Sequence, residues 1–306
     1  MEVVLGLYKN LLPVLAFIAV GYFLKKRFDI KPKFISVPLV FFLLPILVIY
    51  NFSEADTSKI IVMPIVSFLI ALAMNLPACL ANKRIAKEDE DPNLLKSSFT
   101  FFNVLFFGIP VVTALFDEGA TSVLICLYLG TALYGNTIGY FQVAKTKLST
   151  KKSLKEMVKI PFLYTFIVAI GIKVWGVKMP EEAAPVMDVT SWVVSALGMM
   201  IVGIHLTDVN FKNINFPYFG KILGFRTLAA MLLSAVIIGS EYLLWENLET
   251  EDYMMLILIP FLPVASNISL FASYLETEQE RFSLVVVLSI GLSLVLVPIV
   301  AQFFPA

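Results

Sequence analysis

The sequence predicts an all-α polytopic membrane protein with ten transmembrane helices arranged as two inverted five-helix repeats. Three observations lead there: an apolar composition, ten stretches of span length, and a one-sided distribution of basic residues. Of 306 residues, 59% are hydrophobic, only 15% are charged, and 26 are Phe. Soluble domains average roughly half and about a quarter. A water-soluble chain of this length could not hide so much apolar surface. Strand-period alternation is absent, which excludes an outer-membrane barrel. The 23 basic and 23 acidic residues cancel, so the balance points to no nucleic-acid partner.

A bilayer core takes about 20 mainly apolar residues per helix. The first stretch, Val4–Leu24, is followed by Lys25-Lys26-Arg27 and shows no A-x-A cleavage site, so it reads as a retained span and not a secretion signal. The second, Phe34–Tyr50, carries Pro45 and ends at Asn51 and Ser53. The third, Ile60–Leu80, runs into Lys83 and Arg84. The fourth, Ser97–Leu115, contains Phe102-Asn103-Val104-Leu105-Phe106-Phe107-Gly108-Ile109-Pro110. The fifth, Ala120–Val143, holds Tyr134 and Asn136 and a GxxxG, Gly135 to Gly139, that reads as close helix packing. The sixth is Ile160–Val174. The seventh, Pro185–Ile204, has Asp188 near one end and His205 at the other, the histidine read as structural. The eighth, Gly220–Leu244, carries Arg226 about one turn in, where it is expected to snorkel to the headgroups. The ninth, Tyr253–Tyr274, contains Pro260-Phe261-Leu262-Pro263-Val264-Ala265-Ser266-Asn267. The tenth is Phe282–Phe303.

The basic residues orient these stretches. The loops and flanks after the odd-numbered ones hold 19 of the 23, whereas Lys9, Lys59, Lys173 and Lys178 fall on the other side. By the positive-inside rule the basic loops are cytoplasmic and both termini lie outside the cell membrane. The longest cytoplasmic stretch, residues 144–159, is basic and reads as a linker between repeats 1–143 and 160–306. With five spans in each half, the second half enters from the opposite side, an inverted repeat as in many secondary carriers.

The fourth span of each half contains proline. Inside a membrane helix it removes a donor and frees a carbonyl, and Gly108 eases a local break. Interruptions at matching places in two halves point to a midplane binding site. A half-helix N-terminus there offers unpaired N–H groups and about half a positive charge, which suits an anion. Asn103 and Asn267 add neutral polar contacts.

These segments also resemble a family. Asn103 to Val111, with its N-x-x-x-x-G-I-P core, resembles the fourth-span motif of the auxin efflux carrier family, which includes plant PIN auxin exporters and bacterial malate and malonate permeases. Leu262 to Asn267 resembles the ninth-span proline motif in its bacterial form. Gly21-Tyr22-Phe23-Leu24-Lys25-Lys26-Arg27, Pro45, and the run from Leu197-Gly198 to Leu206 are similar to other family features. Plant members usually carry a long central loop; the short one here points to the bacterial branch. The resemblance implies broken, crossing helices 4 and 9 that hold the substrate. Spans 3–5 and 8–10 would be a mobile unit and spans 1, 2, 6 and 7 a scaffold in a homodimer, giving elevator-like alternating access. Asn103 and Asn267 would contact substrate, and Pro110 and Pro263 would make the breaks. Gly108, Ser266, Tyr134 and Asn136 complete the candidate site, with Asn51 and Ser53 weaker candidates.

No carboxylate lies in either motif, so a proton/cation antiporter is disfavoured. The expected function is a secondary transporter of small organic anions, with H+ or Na+ as a coupling partner. Two alternatives stand beside it: a sodium-coupled symporter resembling the bile acid family, and a channel or sensor without a transport cycle. Glu88-Asp89-Glu90-Asp91 reads as a solvated loop. One histidine excludes a His-rich metal site, the two cysteines read as packing residues, and no P-loop or nucleophile–base signature occurs. No cofactor and no enzymatic activity are expected.

Overall fold

In lipid every backbone N–H and C=O needs a partner within the protein, so apolar stretches of span length resolve as helices. A computed structural model describes residues 2–55, 61–86, 90–116, 118–177, 179–180, 182–244 and 246–304, and it is helical, with no strand among them. Lys59, Glu88, Asp89 and Lys178, invoked above, lie outside the described residues.

Among the described residues seven helices are long and apolar enough to cross a membrane: Gly6–Phe28, Lys33–Glu54, Val62–Arg84, Ala120–Lys145, Ala183–Leu206, Phe216–Leu244 and Gln279–Ala301. Thr150–Lys159 and Phe162–Val174, bent by 41° at their junction, make an eighth if taken together. The difference from ten has local causes. Within the sixth stretch the helix Phe162–Val174 has 13 residues, about 20 Å at 1.5 Å per residue. The fourth stretch splits into Pro92–Thr100 and Gly108–Leu115. The ninth splits into Thr250–Leu258, with a 3-10 turn Ile259–Phe261, and Asn267–Leu275. The expected linker is mostly the helix Thr150–Lys159.

Local chemistry sets these ends. Pro92 opens its helix at the first position, where a missing N–H costs nothing, and the Asp91 side chain accepts from the Asn93 N–H at 2.7 Å. Glu249 and Asp252 form a reciprocal capping box at the start of Thr250–Leu258. Two helices carry single π-turns, Leu39–Leu43 just before Pro45 and Gly135–Gly139. Such turns absorb a local mismatch in the hydrogen-bond ladder.

Glycines set the tightest seams. A Cβ on Gly21 would meet the Met200 carbonyl, and one on Gly203 would meet that of Ile18, so the helices Gly6–Phe28 and Ala183–Leu206 touch backbone to backbone. Gly130 likewise lies against the Pro64 carbonyl, joining Ala120–Lys145 to Val62–Arg84. Lys173 reaches the end of Lys33–Glu54, donating to the Ser53 carbonyl at 2.8 Å and the Ala55 carbonyl at 2.6 Å.

Candidate functional site: the meeting of two interrupted helices

The first interruption is non-helical at 101–107. Asn103 N–H would bond Phe99 in a continuous helix. Instead it donates to the Pro263 carbonyl at 2.9 Å. Helix resumes at Gly108, whose N–H bonds the Asn103 carbonyl at 3.2 Å. Pro110 therefore sits in the first turn of the second half-helix, where its missing donor is harmless. The break lies before Gly108–Pro110, not upon it.

The second interruption runs from the Ile259–Phe261 turn through residues 262–266. Pro260 and Pro263 lack the N–H groups an α-helix would use there. The Leu262 N–H reaches back only three residues, to Ile259 at 3.1 Å, and the Val264 N–H takes the Ser289 hydroxyl of the last long helix at 2.9 Å. Ser266 caps and Asn267 begins the next half-helix.

The Asn103–Pro263 bond joins the two breaks directly. Beside it is a cavity of about 20 Å³, lined in part by Asn103, Asn136, Ala265, Asn267, Tyr128 and Thr131. Three candidates chosen from sequence, Asn103, Asn136 and Asn267, thus share one small space. Asn103 is 2% exposed and its Nδ2 has no partner. The buried Ser266 hydroxyl also lacks one, and a Cβ on Gly198 would come 3.3 Å from it. Buried polar atoms without partners are uncommon and ask for an explanation.

Other candidates fall elsewhere. The Tyr134 hydroxyl accepts from Asn75 at 2.7 Å and Gln142 at 3.1 Å, in a polar cluster that does not line the cavity. Ser53 donates to Ile49 within its own helix at 2.8 Å, and Asp188 is exposed. Neighbouring Asn51 is only half-buried. The Gly135–Gly139 pair does mark close packing, but its partner is a ring and not a helix. A Cβ on Gly135 would come 3.2 Å from the Phe101 ring and one on Gly139 2.5 Å from it.

Arg226 corrects the sequence reading most. It does not snorkel; it is 2% exposed. Its Nη1 donates to the Leu262 carbonyl at 3.2 Å and its Nη2 to the Phe101 carbonyl at 2.9 Å. The guanidinium also lies 4.4 Å from the centre of the Phe102 ring. Position along the helix placed Arg226 near an interface. The broken chain beside it supplies free carbonyls, which a buried guanidinium needs more than it needs water. The only sequence signal was a charge inside an apolar stretch.

A larger cavity, about 350 Å³, opens among Glu90, Asn210, Tyr218, Glu280 and Arg281 and shares no residue with the meeting of the breaks. Its charges answer one another: Arg281 lies 4.0 Å from Glu90 and 3.4 Å from Glu278, and Tyr218 donates to Glu90 at 3.0 Å. The breaks, with unpartnered polar atoms, are the better candidate despite the smaller space. Among the described residues no cluster of three metal-ligating side chains occurs.

No protein-family model matches the chain. It is 28% identical over 228 residues to a protein of Methanocaldococcus jannaschii named as an uncharacterized transporter, covering 69% of this chain and 71% of that one. That likeness and the apolar helices support a multi-pass membrane protein of the transporter kind.

Proposed function

We propose that this chain is a secondary carrier of small organic anions, mono- or dicarboxylates, bound where the two interrupted helices meet. The observation that carries this reading is the Asn103 N–H to Pro263 bond at 2.9 Å, with an unpartnered Asn103 amide and Ser266 hydroxyl beside it. Two half-helices, Gly108–Leu115 and Asn267–Leu275, begin there. Each N-terminus contributes about half a positive charge without the desolvation cost of a full buried cation. A carboxylate would accept from the Asn103 amide and the Ser266 hydroxyl. Asn136 and Asn267 would complete the shell.

A space of about 20 Å³ admits one water and no dicarboxylate. The carrier therefore alternates between this closed form and wider ones. In this reading each interrupted stretch counts as one span, giving ten in two inverted repeats. Spans 3–5 and 8–10 move as an elevator against a dimeric scaffold of spans 1, 2, 6 and 7. The protein sits in the cell membrane with both termini outside and basic loops in the cytoplasm, and resembles the bacterial branch of the auxin efflux carriers.

The test is uptake into proteoliposomes of radiolabelled mono- and dicarboxylates, each paired with its uncharged amide. The acid should be carried and the amide excluded. Equal transport of both would overturn the anion reading.

A further inference from the structure

Helix ends have opposite polarity. The last four carbonyls of a helix lack intrahelical partners, and the end carries about half a negative charge. Phe101 is the C-cap of Pro92–Thr100, and Leu262 is the C-cap of the turn that finishes Thr250–Leu258. Both of these negative ends converge on one guanidinium, through Nη2 to Phe101 and Nη1 to Leu262. In carriers with interrupted helices, carbonyls of this kind hold the coupling cation, while the half-helix N-termini face the anionic substrate. Here the cation at the carbonyls is covalently part of the protein.

We propose that Arg226 is a tethered replacement for a coupling sodium ion, a positioning residue that holds the two breaks together and makes transport independent of sodium. The inference rests on the carrier reading above and adds how its site is coupled.

Geometry favours a guanidinium over a bound ion in three ways. Its planar fork reaches two carbonyls from different helices at once, Nη1 to Leu262 and Nη2 to Phe101, in fixed directions. The stack on Phe102 supplies a further face for a weakly hydrated cation. The group enters from the long helix Phe216–Leu244, so it stays when the breaks rearrange. A free sodium ion would be exchanged in every cycle and would tie transport to its gradient. A fixed charge does neither, and leaves anion binding to the opposite ends of the half-helices.

The test has two arms. In the first, wild-type protein in proteoliposomes should take up substrate equally when choline replaces sodium on both sides. Purified protein without substrate should show the same thermal unfolding midpoint in sodium chloride and choline chloride. This second readout needs no substrate, so it can fail while the anion reading stands. Transport of acid and amide alike, still without sodium, would instead sink the anion reading alone. In the second arm, Arg226→Ala should lower uptake by about 10- to 100-fold, the loss of a charged hydrogen bond to buried carbonyls. Millimolar guanidinium should restore it; sodium or urea, the uncharged shape analogue, should not. If Arg226→Ala does not fold, Arg226→Lys replaces it: one charge without the fork should keep the protein folded and sodium-independent but slow. A sodium requirement in wild-type protein, a sodium-specific rise in its unfolding midpoint, or rescue by urea as good as by guanidinium would each overturn the proposal.

Discussion

The two interruptions look alike in sequence and are held differently. At 101–107 the chain is fixed by backbone and one side chain from another helix: Asn103 N–H reaches Pro263, the Asn103 carbonyl takes Gly108 N–H, Arg226 donates to the Phe101 carbonyl, and the Phe101 ring lies against Gly135 and Gly139. At 259–266 the chain is fixed by side chains from two other helices, Arg226 on the Leu262 carbonyl and Ser289 on the Val264 N–H. The first break keeps a spare amide, the second a spare hydroxyl. A segment pinned by one side chain has more freedom than a segment pinned by two, which moves with the helices that pin it. The second break is therefore the fixed frame of the site, and Asn103 its adaptable part.

Pro263→Ala should break the comparison most severely. Proline disfavours a helix interior by about 3 kcal/mol relative to alanine. Alanine at 263 gains an N–H that can compete for the Ile259 carbonyl, now held by Leu262. Uptake should fall by up to about 150-fold, with folding judged intact by size-exclusion profile. Pro110→Ala should do much less, because Pro110 already lies inside helical chain. Equal losses would mean that the two prolines act through helix packing in general.

Asn103→Ala should weaken apparent substrate affinity by roughly 10- to 150-fold, the value of a hydrogen bond to a charged group. Asn267→Ala should lie at the low end, since Asn267 is only half-buried at the cavity margin. Concentration-dependent uptake measures both. A larger effect at Asn267 would reverse the roles given to the two breaks.

How much of this was legible in the sequence follows from the kind of interaction involved. Helical periodicity and prolines are local, so the positions of the interruptions were readable to within a few residues. Composition gave the class, and the segregation of lysines and arginines supplied an expected topology. Continuity was less readable: the count of seven uninterrupted helices among the described residues reflects backbone bonds that leave the helix for another segment, as at Asn103. Long-range polar pairing was not readable at all. Nothing near Tyr134 announces Asn75, which comes from the third stretch. The Arg226 partners are main-chain carbonyls, which carry no side-chain signature.

The two breaks should also separate in stability. Ser289→Ala leaves the Val264 N–H buried and unpaired, a loss of about 1–3 kcal/mol. Gly139→Ala drives a methyl into the Phe101 ring, an overpacking of about 1–3 kcal/mol. Thermal unfolding in detergent should register both at similar size. Uptake should separate them: Ser289→Ala disturbs the frame and slows transport of every acid, while Gly139→Ala disturbs the adaptable side and shifts preference between small and large acids. Identical transport profiles would remove the distinction between frame and adaptable part.

The smallest effect belongs to the far end of the second half-helix. Asn267–Leu275 is followed by Glu276, which pairs with Lys33 at 2.9 Å, both side chains more than half exposed. Nothing comparable is seen at the end of Gly108–Leu115 among the described residues. Lys33 beside Glu276 holds its carboxyl below the ordinary carboxylate range. A lowered value in the folded protein means that the pair contributes above the ordinary carboxylate range and is lost as pH falls through the lowered value. Exposed pairs contribute little and are screened by salt. Glu276→Gln should therefore lower the unfolding midpoint near neutral pH by less than about 3 °C. The gap to wild type should close both in acid and in high salt, and Lys33→Ala should reproduce it. A gap that persisted in acid would mean that Glu276 acts through its carbonyl, which accepts from Lys147 at 2.9 Å, and that the second half-helix is anchored at its end by backbone, as the first break is in part.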